Sequence, residues 1–228
     1  MAKTKYMSEG DKNQMRELRV KGVSVKEIAK MLGFSLGSVY SVVKDIRVPV
    51  TIYHKEIVAG LTKGSILDIE TTGLDSIKDE IITVGFLGGN TITVIQRMEA
   101  SATQFYDMVR EELAKLSQPI YVYNLAFEKA FLKAQLGIDL DAIDVFEPWM
   151  KRAEAKELKY PKLDDLATVP GHYFGDKSTR GREVPYMWRA YKEKGTATSL
   201  ALIVRHNMED LRQTLYVLTF MDVPLGER

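Results

Sequence analysis

The sequence predicts an α/β fold, in which helices flank both faces of a mixed sheet, preceded by a small all-α domain. Residues 65–98 carry β-branched runs separated by turn residues, which is typical of consecutive strands. From residue 102 onward helical and strand patterns alternate, and this order favours helices on both faces of the sheet. In residues 8–46 the apolar residues recur only at helical spacing, with no strand pattern. The 228 residues suffice for one ordinary domain and one small domain.

Three short helices are expected in residues 8–46. The apolar positions that define them, in chain order, are Met15, Leu18 and Val20, then Val25, Ile28, Ala29 and Leu32, then Val39, Val42, Val43 and Ile46. Gly33 is expected to end the second helix, because glycine is favoured just beyond a helix C-terminus. Ser35 is a suitable N-cap for the third.

The string SVKEIAKMLGFSLGSVYSVV at residues 24–43 resembles the helix-turn-helix cores of small DNA-binding domains. The resemblance implies that the last of the three helices enters the major groove. Its expected outward positions are Ser38, Tyr40, Ser41 and Lys44. Lys44 and the nearby Arg47 are suited to phosphate contacts. The alternative is a three-helix bundle that serves protein contacts or dimerisation.

Composition restricts the environment and the chemistry. There are no cysteines, so any metal must be held by oxygen or imidazole ligands. No apolar run approaches the ~20 residues of a membrane span, and the N-terminus lacks a signal-peptide core. We therefore expect a soluble, cytoplasmic protein with no membrane partner.

Charge is distributed unevenly along the chain. Residues 1–63 contain 12 Lys and Arg against 6 Asp and Glu, a balance of +6, whereas residues 64–228 contain 20 against 25, a balance of −5. A basic module beside an acidic one suits nucleic-acid binding attached to an enzyme with metal-binding acids. Ordinary surface solubility explains the same split.

The pattern divides the chain into a helix-turn-helix domain at 1–47, a linker at 48–63 and a catalytic domain at 64–228. Pro49 and the glycines at 60 and 64 are the signals for the linker, since they disfavour regular structure. In the third segment, strands are expected at 65–73, 80–89, 91–98, 119–124 and 143–146. Gly88, Gly89 and Asn90 indicate a hairpin, so the first three of these strands are expected to be antiparallel.

Helices are expected at 102–116, from Phe127 onward and at 198–220. Residues 150–196 are charge-rich, and we expect them to be irregular apart from short helices at 163–167 and 185–192.

The strongest chemical signal is the pair Asp68 and Glu70 near the end of the first of these strands. Residues two apart in a strand project from one face, where two carboxylates repel unless a cation lies between them. Their context, LDIETTGL, resembles the first motif of DnaQ-like (DEDD) exonucleases, members of the ribonuclease H-like superfamily. The resemblance implies that both acids bind metal, that Gly73 admits the terminal nucleotide and that Leu74 packs on its base.

Two further motifs of that family follow in order. YNLAFEKAFL at 123–132 is similar to the second motif, with Asn124 in register and Glu128 where most members have aspartate. RHNMEDL at 205–211 is similar to the third, in which Asp210 completes the metal ligands. His206 lies four residues before Asp210, the spacing of the family's tyrosine subclass, and the resemblance gives it the role of general base or water orienter.

The resemblance implies an enzyme with a ribonuclease H-like fold, in which Asp68, Glu70, Glu128 and Asp210 hold two Mg²⁺ or Mn²⁺ ions. The expected reaction is hydrolysis of phosphodiester bonds in DNA, from the 3′ end toward the 5′ end, with DNA favoured over RNA as the partner. One alternative is a sequence-specific DNA-binding regulator with an inactive nuclease-like domain. Another is an RNA-directed or structure-specific nuclease of the same fold.

Overall fold

The computed structural model describes residues 7–20, 25–46, 52–57, 61, 63–98, 102–167 and 180–220. Its strands are β1 (Ile52–Ile57), β2 (Ser65–Thr71), β3 (Ile81–Gly88), β4 (Thr91–Gln96), β5 (Ile120–Val122) and β6 (Ile143–Asp144). Its helices are α1 (Glu9–Val20), α2 (Val25–Leu32), α3 (Leu36–Val43), α4 (Ala102–Leu113), α5 (Leu125–Leu136), α6 (Glu147–Ala155), α7 (Leu163–Ala167), α8 (Val184–Lys194) and α9 (Ala197–Phe220).

The chain divides into two units, of which the first comprises Met1–Thr51 with Arg97–Gln104. This unit contains α1, α2 and α3, as the apolar spacing predicts. They enclose a core of their own, formed by Met15, Ile28, Ala29, Val39 and Val43. The side chain of Ser35 caps α3 by accepting a hydrogen bond of 3.1 Å from the backbone of Ser38.

The second unit, Ile52–Gln96 with Phe105–Arg228, is built on a six-stranded sheet in the order β1-β4-β3-β2-β5-β6. Strands β2, β3 and β4 are antiparallel, as predicted, and Gly89 adopts a positive φ of 56° in the hairpin between β3 and β4. Strand β5 lies parallel to β2, and β6 lies parallel to β5. The carboxyl ends of β2, β5 and β6 therefore meet at one edge of the sheet.

Alternate residues of the central strands face opposite layers of helices. Leu67 and Ile69 of β2 belong to a buried cluster that includes Phe105 of α4 and Phe131 of α5. Ile66, from the same strand, belongs to a second cluster with Leu211 of α9. Helices thus cover both faces, and the predicted α/β class is confirmed.

Two segments differ from the prediction. Residues 52–57, inside the expected linker, form β1 and pair antiparallel with β4. The strand IYHKEI has three consecutive polar residues, which suit an exposed edge strand but conceal it in a hydrophobicity pattern. Residues 150–155, at the start of the stretch expected to be irregular, belong to α6, whose first turn contains Pro148. High charge density hid this helix.

Among the helices that the structure describes, none combines the length and the apolar character that a membrane span requires.

Candidate functional site

Strand β2 carries Asp68 and Glu70 on the same face as Ile66, which is the face covered by α9. The β2–β3 register shifts between Glu70 and Thr71, so an irregularity lies directly beside the second acid. Such bulges change the direction of neighbouring side chains and are common next to active sites. Glu70 is buried, and Asp68 is half-buried.

Helix α9 brings His206 and Asp210 to Glu70. Nε2 of His206 lies 3.4 Å from Oδ2 of Asp210 and 3.8 Å from Oε1 of Glu70. One ligand atom from each of these three residues lies within 4.8 Å of the other two. Because His206 and Asp210 are four residues apart, they share one face of the helix. Two carboxylates and an imidazole therefore converge in a mostly buried site.

Glu128 lies in the first turn of α5, which begins just beyond the carboxyl end of β5. Its side chain is 3% exposed, and Oε2 has no hydrogen-bond partner among the described residues. Burial raises the pKa of Glu128 well above its ordinary value, and the charges of Asp68 and Asp144 raise this pKa further. A carboxylate buried in this way is costly unless a proton or a cation neutralises it.

Asp144, which the sequence analysis does not single out, fixes the start of α5. It lies at the end of β6 and accepts hydrogen bonds of 3.1 Å from the backbone N–H groups of Asn124 and Leu125. Asn124 has a left-handed conformation with φ 78° and makes no capping bond with its own side chain. Asp144 therefore serves as the cap of α5 and adds negative charge near Glu128.

The predicted catalytic residues form two groups. Glu70, His206 and Asp210 are in mutual proximity, whereas Asp68 and Glu128 interact through their charges and lie outside that group of three. Asp68 is joined to α9 by Asn207, whose Nδ2 donates a hydrogen bond of 2.7 Å to Oδ2 of Asp68. The sequence analysis missed Asn207, because its contact with Asp68 joins two distant segments of the chain.

The donor set fits a hard divalent cation. Carboxylate oxygens are the ligands that Mg²⁺ and Mn²⁺ prefer, and imidazole is compatible with Mn²⁺. The Glu128 oxygen that lacks a hydrogen-bond partner among the described residues is a further argument for this fit. The residues that lie close enough together to share one ion are Glu70, His206 and Asp210.

The β2–β3 loop presents Leu74 to solvent. This side chain is 87% exposed. Gly73 is needed for a reason that the sequence did not show, since a Cβ there would lie 2.3 Å from Oδ2 of Asp79. The same oxygen accepts a 2.9 Å hydrogen bond from the backbone of Asp75, so Asp79 braces the loop.

A short turn at Gly181–Glu183 reaches the imidazole of His206, because a Cβ on Gly181 would lie 3.4 Å from Nε2. Residues 168–179, which precede this turn, lie outside the described residues.

Of the five predicted DNA-contacting residues of the first unit, Ser38, Tyr40 and Ser41 lie on α3 and Lys44 is its C-cap. Tyr40, Ser41 and Lys44 are exposed, and the Ser41 hydroxyl donates to the backbone oxygen of Ser38 at 2.8 Å. Ser38 is half-buried, and its backbone N–H binds the capping Ser35. Arg47 lies outside the described residues.

The chain is similar to known proteins over most of the second unit. Residues 65–221 match the family model described as the RNase_H superfamily. The uncharacterized protein MJ0365 of Methanocaldococcus jannaschii is 27% identical over 161 residues, which cover 66% of this chain and 90% of that protein. A solved structure described as the apo form of the nuclease has 15% identity and a TM-score of 0.38, covering 72% of this chain and 89% of its own.

Proposed function

The chain belongs to the RNase H superfamily, and we propose that it is a divalent-metal-dependent exonuclease of the DEDD type that hydrolyses phosphodiester bonds of DNA. Membership of this superfamily supports a nuclease. The observation that supports the metal-dependent chemistry is the mutual approach of Glu70, His206 and Asp210 within 4.8 Å. The two mostly buried carboxylates repel each other, and a bound cation would offset this repulsion.

Each residue has a distinct task in the proposed mechanism. Asp68, Glu70, Glu128 and Asp210 would hold two Mg²⁺ or Mn²⁺ ions. When bound, these ions supply Lewis-acid polarisation of the scissile phosphate and neutralise developing charge. His206 orients the attacking water and accepts its proton, because its Nε2 faces the same space as the carboxylates of Glu70 and Asp210.

The terminal nucleotide is held by the loop that follows β2. Leu74 packs on the terminal base, and the backbone at Gly73 lies against the sugar and phosphate. Asn124, exposed at the start of α5, is placed to contact the nucleotide near Glu128. Attack at the 3′ end is proposed from the resemblance of the three motifs to those of DEDD exonucleases.

The test of this proposal is a cleavage assay with the full-length protein. Single-stranded DNA, duplex DNA and RNA of the same sequence, each labelled at the 5′ end, are incubated with Mn²⁺, with Mg²⁺ or with EDTA. We expect a ladder of shortened, 5′-labelled products from single-stranded DNA with Mn²⁺, and none with EDTA. Internal cleavage or preferential degradation of RNA would favour a structure-specific or RNA-directed nuclease. No cleavage of any substrate with either metal would favour a DNA-binding regulator with an inactive nuclease-like unit.

We further propose that α1, α2 and α3 form a DNA-binding unit that recruits the substrate. An independent apolar core and exposed polar side chains on α3 support this role. The excess of positive charge in residues 1–63 supports it as well.

The Lys44→Glu variant of the full-length protein is expected to bind duplex DNA more weakly at every sequence tested. The logarithm of the affinity falls linearly with the logarithm of the salt concentration. Losing one phosphate contact reduces the steepness of this fall by about 0.9. Fluorescence anisotropy over a salt series measures both quantities. Lys194→Glu, an exposed lysine at the end of α8, is the matched control. If Lys44→Glu behaves like this control, α3 does not bind the DNA backbone through Lys44.

A further inference from the structure

Asn207 is a fully buried polar side chain among the proposed metal ligands. Its Nδ2 donates to Oδ2 of Asp68 at 2.7 Å and approaches the backbone oxygen of Asp68 at 3.3 Å. The opposite orientation of the amide would direct its oxygen at a carboxylate, so the hydrogen bonding fixes which end faces Asp68. Oδ1 of Asn207 is buried and has no hydrogen-bond partner among the described residues.

Gly85 of β3 allows this contact to form. It lies directly opposite Asp68 in the β2–β3 register. A Cβ on Gly85 would lie 1.9 Å from Oδ1 of Asn207 and 2.8 Å from Cδ1 of Leu211. Glycine destabilises a strand relative to alanine, so close packing is the physical reason for its presence. The side chain of Asn207 occupies the space that any other residue at position 85 would fill.

We propose that Asn207 is a positioning residue that holds the Asp68 carboxylate in the orientation required for cation binding, and that Gly85 provides the space for it. The inference rests on the proposed metal-dependent function. A charge-assisted hydrogen bond to one carboxylate oxygen restricts rotation of the whole group. Such a partner orients a ligand without touching the metal. Its mutation typically lowers metal affinity by about 10- to 100-fold.

The test measures Mn²⁺ binding by calorimetry and by electron paramagnetic resonance of the free ion, without any cleavage reaction. The Asn207→Leu variant keeps a similar volume but loses the donor, and we expect its Kd for Mn²⁺ to rise about 10- to 100-fold. Gly85→Ala is expected to weaken binding in the same direction, because the added methyl displaces Asn207. The double variant is expected to be no weaker than the worse single variant, since both changes remove one interaction.

Gly88→Ala is the matched control on the same strand. A Cβ at Gly88 meets only Ser65 Oγ at 3.6 Å, so Mn²⁺ affinity is expected to stay at the wild-type value. Thermal unfolding in EDTA establishes that each variant is folded at the temperature of the binding measurement. If Asn207→Leu does not fold cooperatively, Asn207→Ala, which adds no bulk, replaces it with the same expected result.

The outcomes separate this inference from the proposed function. A wild-type protein that binds Mn²⁺, with folded Asn207 and Gly85 variants that bind it equally well, would overturn the positioning role and leave the nuclease proposal standing. A purely structural role would lower the unfolding temperature in EDTA without changing the Kd of the folded protein. A wild-type protein that binds no Mn²⁺ would overturn both proposals.

Discussion

The Asp68→Asn variant is expected to lose Mn²⁺-dependent cleavage by on the order of 10³-fold or more while remaining folded. Asparagine has nearly the same shape as aspartate and retains an oxygen that can accept the hydrogen bond from Nδ2 of Asn207. What it lacks is the negative charge, which balances a divalent cation. The measurement is the initial rate of cleavage over a range of Mn²⁺ concentrations, together with the unfolding temperature.

Glu111→Gln is the matched control for this loss of one acidic charge. Glu111 is exposed on α4, the helix that packs on the sheet face opposite α9. Its cleavage rate is expected to equal that of the wild type. A wild-type rate for Asp68→Asn would remove Asp68 from the proposed set of metal ligands.

The Glu128→Gln variant is expected to be more stable than the wild type in EDTA at pH 8. Burial, together with the charges of Asp68 and Asp144, raises the pKa of Glu128 in the folded protein above its ordinary value of 4.5. Between the unfolded and folded pKa values, the folded protein binds the proton more tightly than the unfolded chain. Stability contributed by this group is therefore complete below the unfolded pKa and is lost as pH rises through the folded pKa.

Glutamine carries no charge at any pH, so it avoids this loss. Each unit of pKa elevation corresponds to about 1.4 kcal/mol, or about 3–5 °C in the unfolding temperature of a domain of this size. The difference between Glu128→Gln and wild type is expected to shrink toward pH 5. Addition of Mn²⁺ is expected to stabilise the wild type more than the variant, because a cation that binds only the folded state raises its stability. A variant that is less stable than wild type in EDTA at pH 8 would contradict this account of Glu128.

Local sequence patterns predicted which of the candidate side chains share one face of a strand or helix. The spacing of Asp68 and Glu70 follows from strand periodicity, and that of His206 and Asp210 follows from helix periodicity. Both pairs could be placed on one face of an element before the structure was known. Glu128 was proposed from the resemblance of YNLAFEKAFL to the second motif of the DEDD family, and it lies in the first turn of the helix that follows β5.

The contacts between distant segments could not be predicted in this way. A glycine within a strand indicates close packing, but nothing near Gly85 in the sequence identifies Asn207 as the group that approaches it. Asp144 likewise caps a helix that begins 19 residues earlier in the chain. Strand β1 depends on pairing with β4, and its polar residues give no hydrophobic pattern.

The central claim is that acids from β2, α5 and α9 bind shared cations. Crystals of the full-length protein soaked in Mn²⁺, with diffraction recorded at a wavelength where manganese scatters anomalously, would test it most directly. We expect two anomalous peaks, about 4 Å apart, in contact with Asp68, Glu70, Glu128 and Asp210. Peaks that lie away from these carboxylates would contradict the claim. So would the absence of any peak among them at a saturating Mn²⁺ concentration.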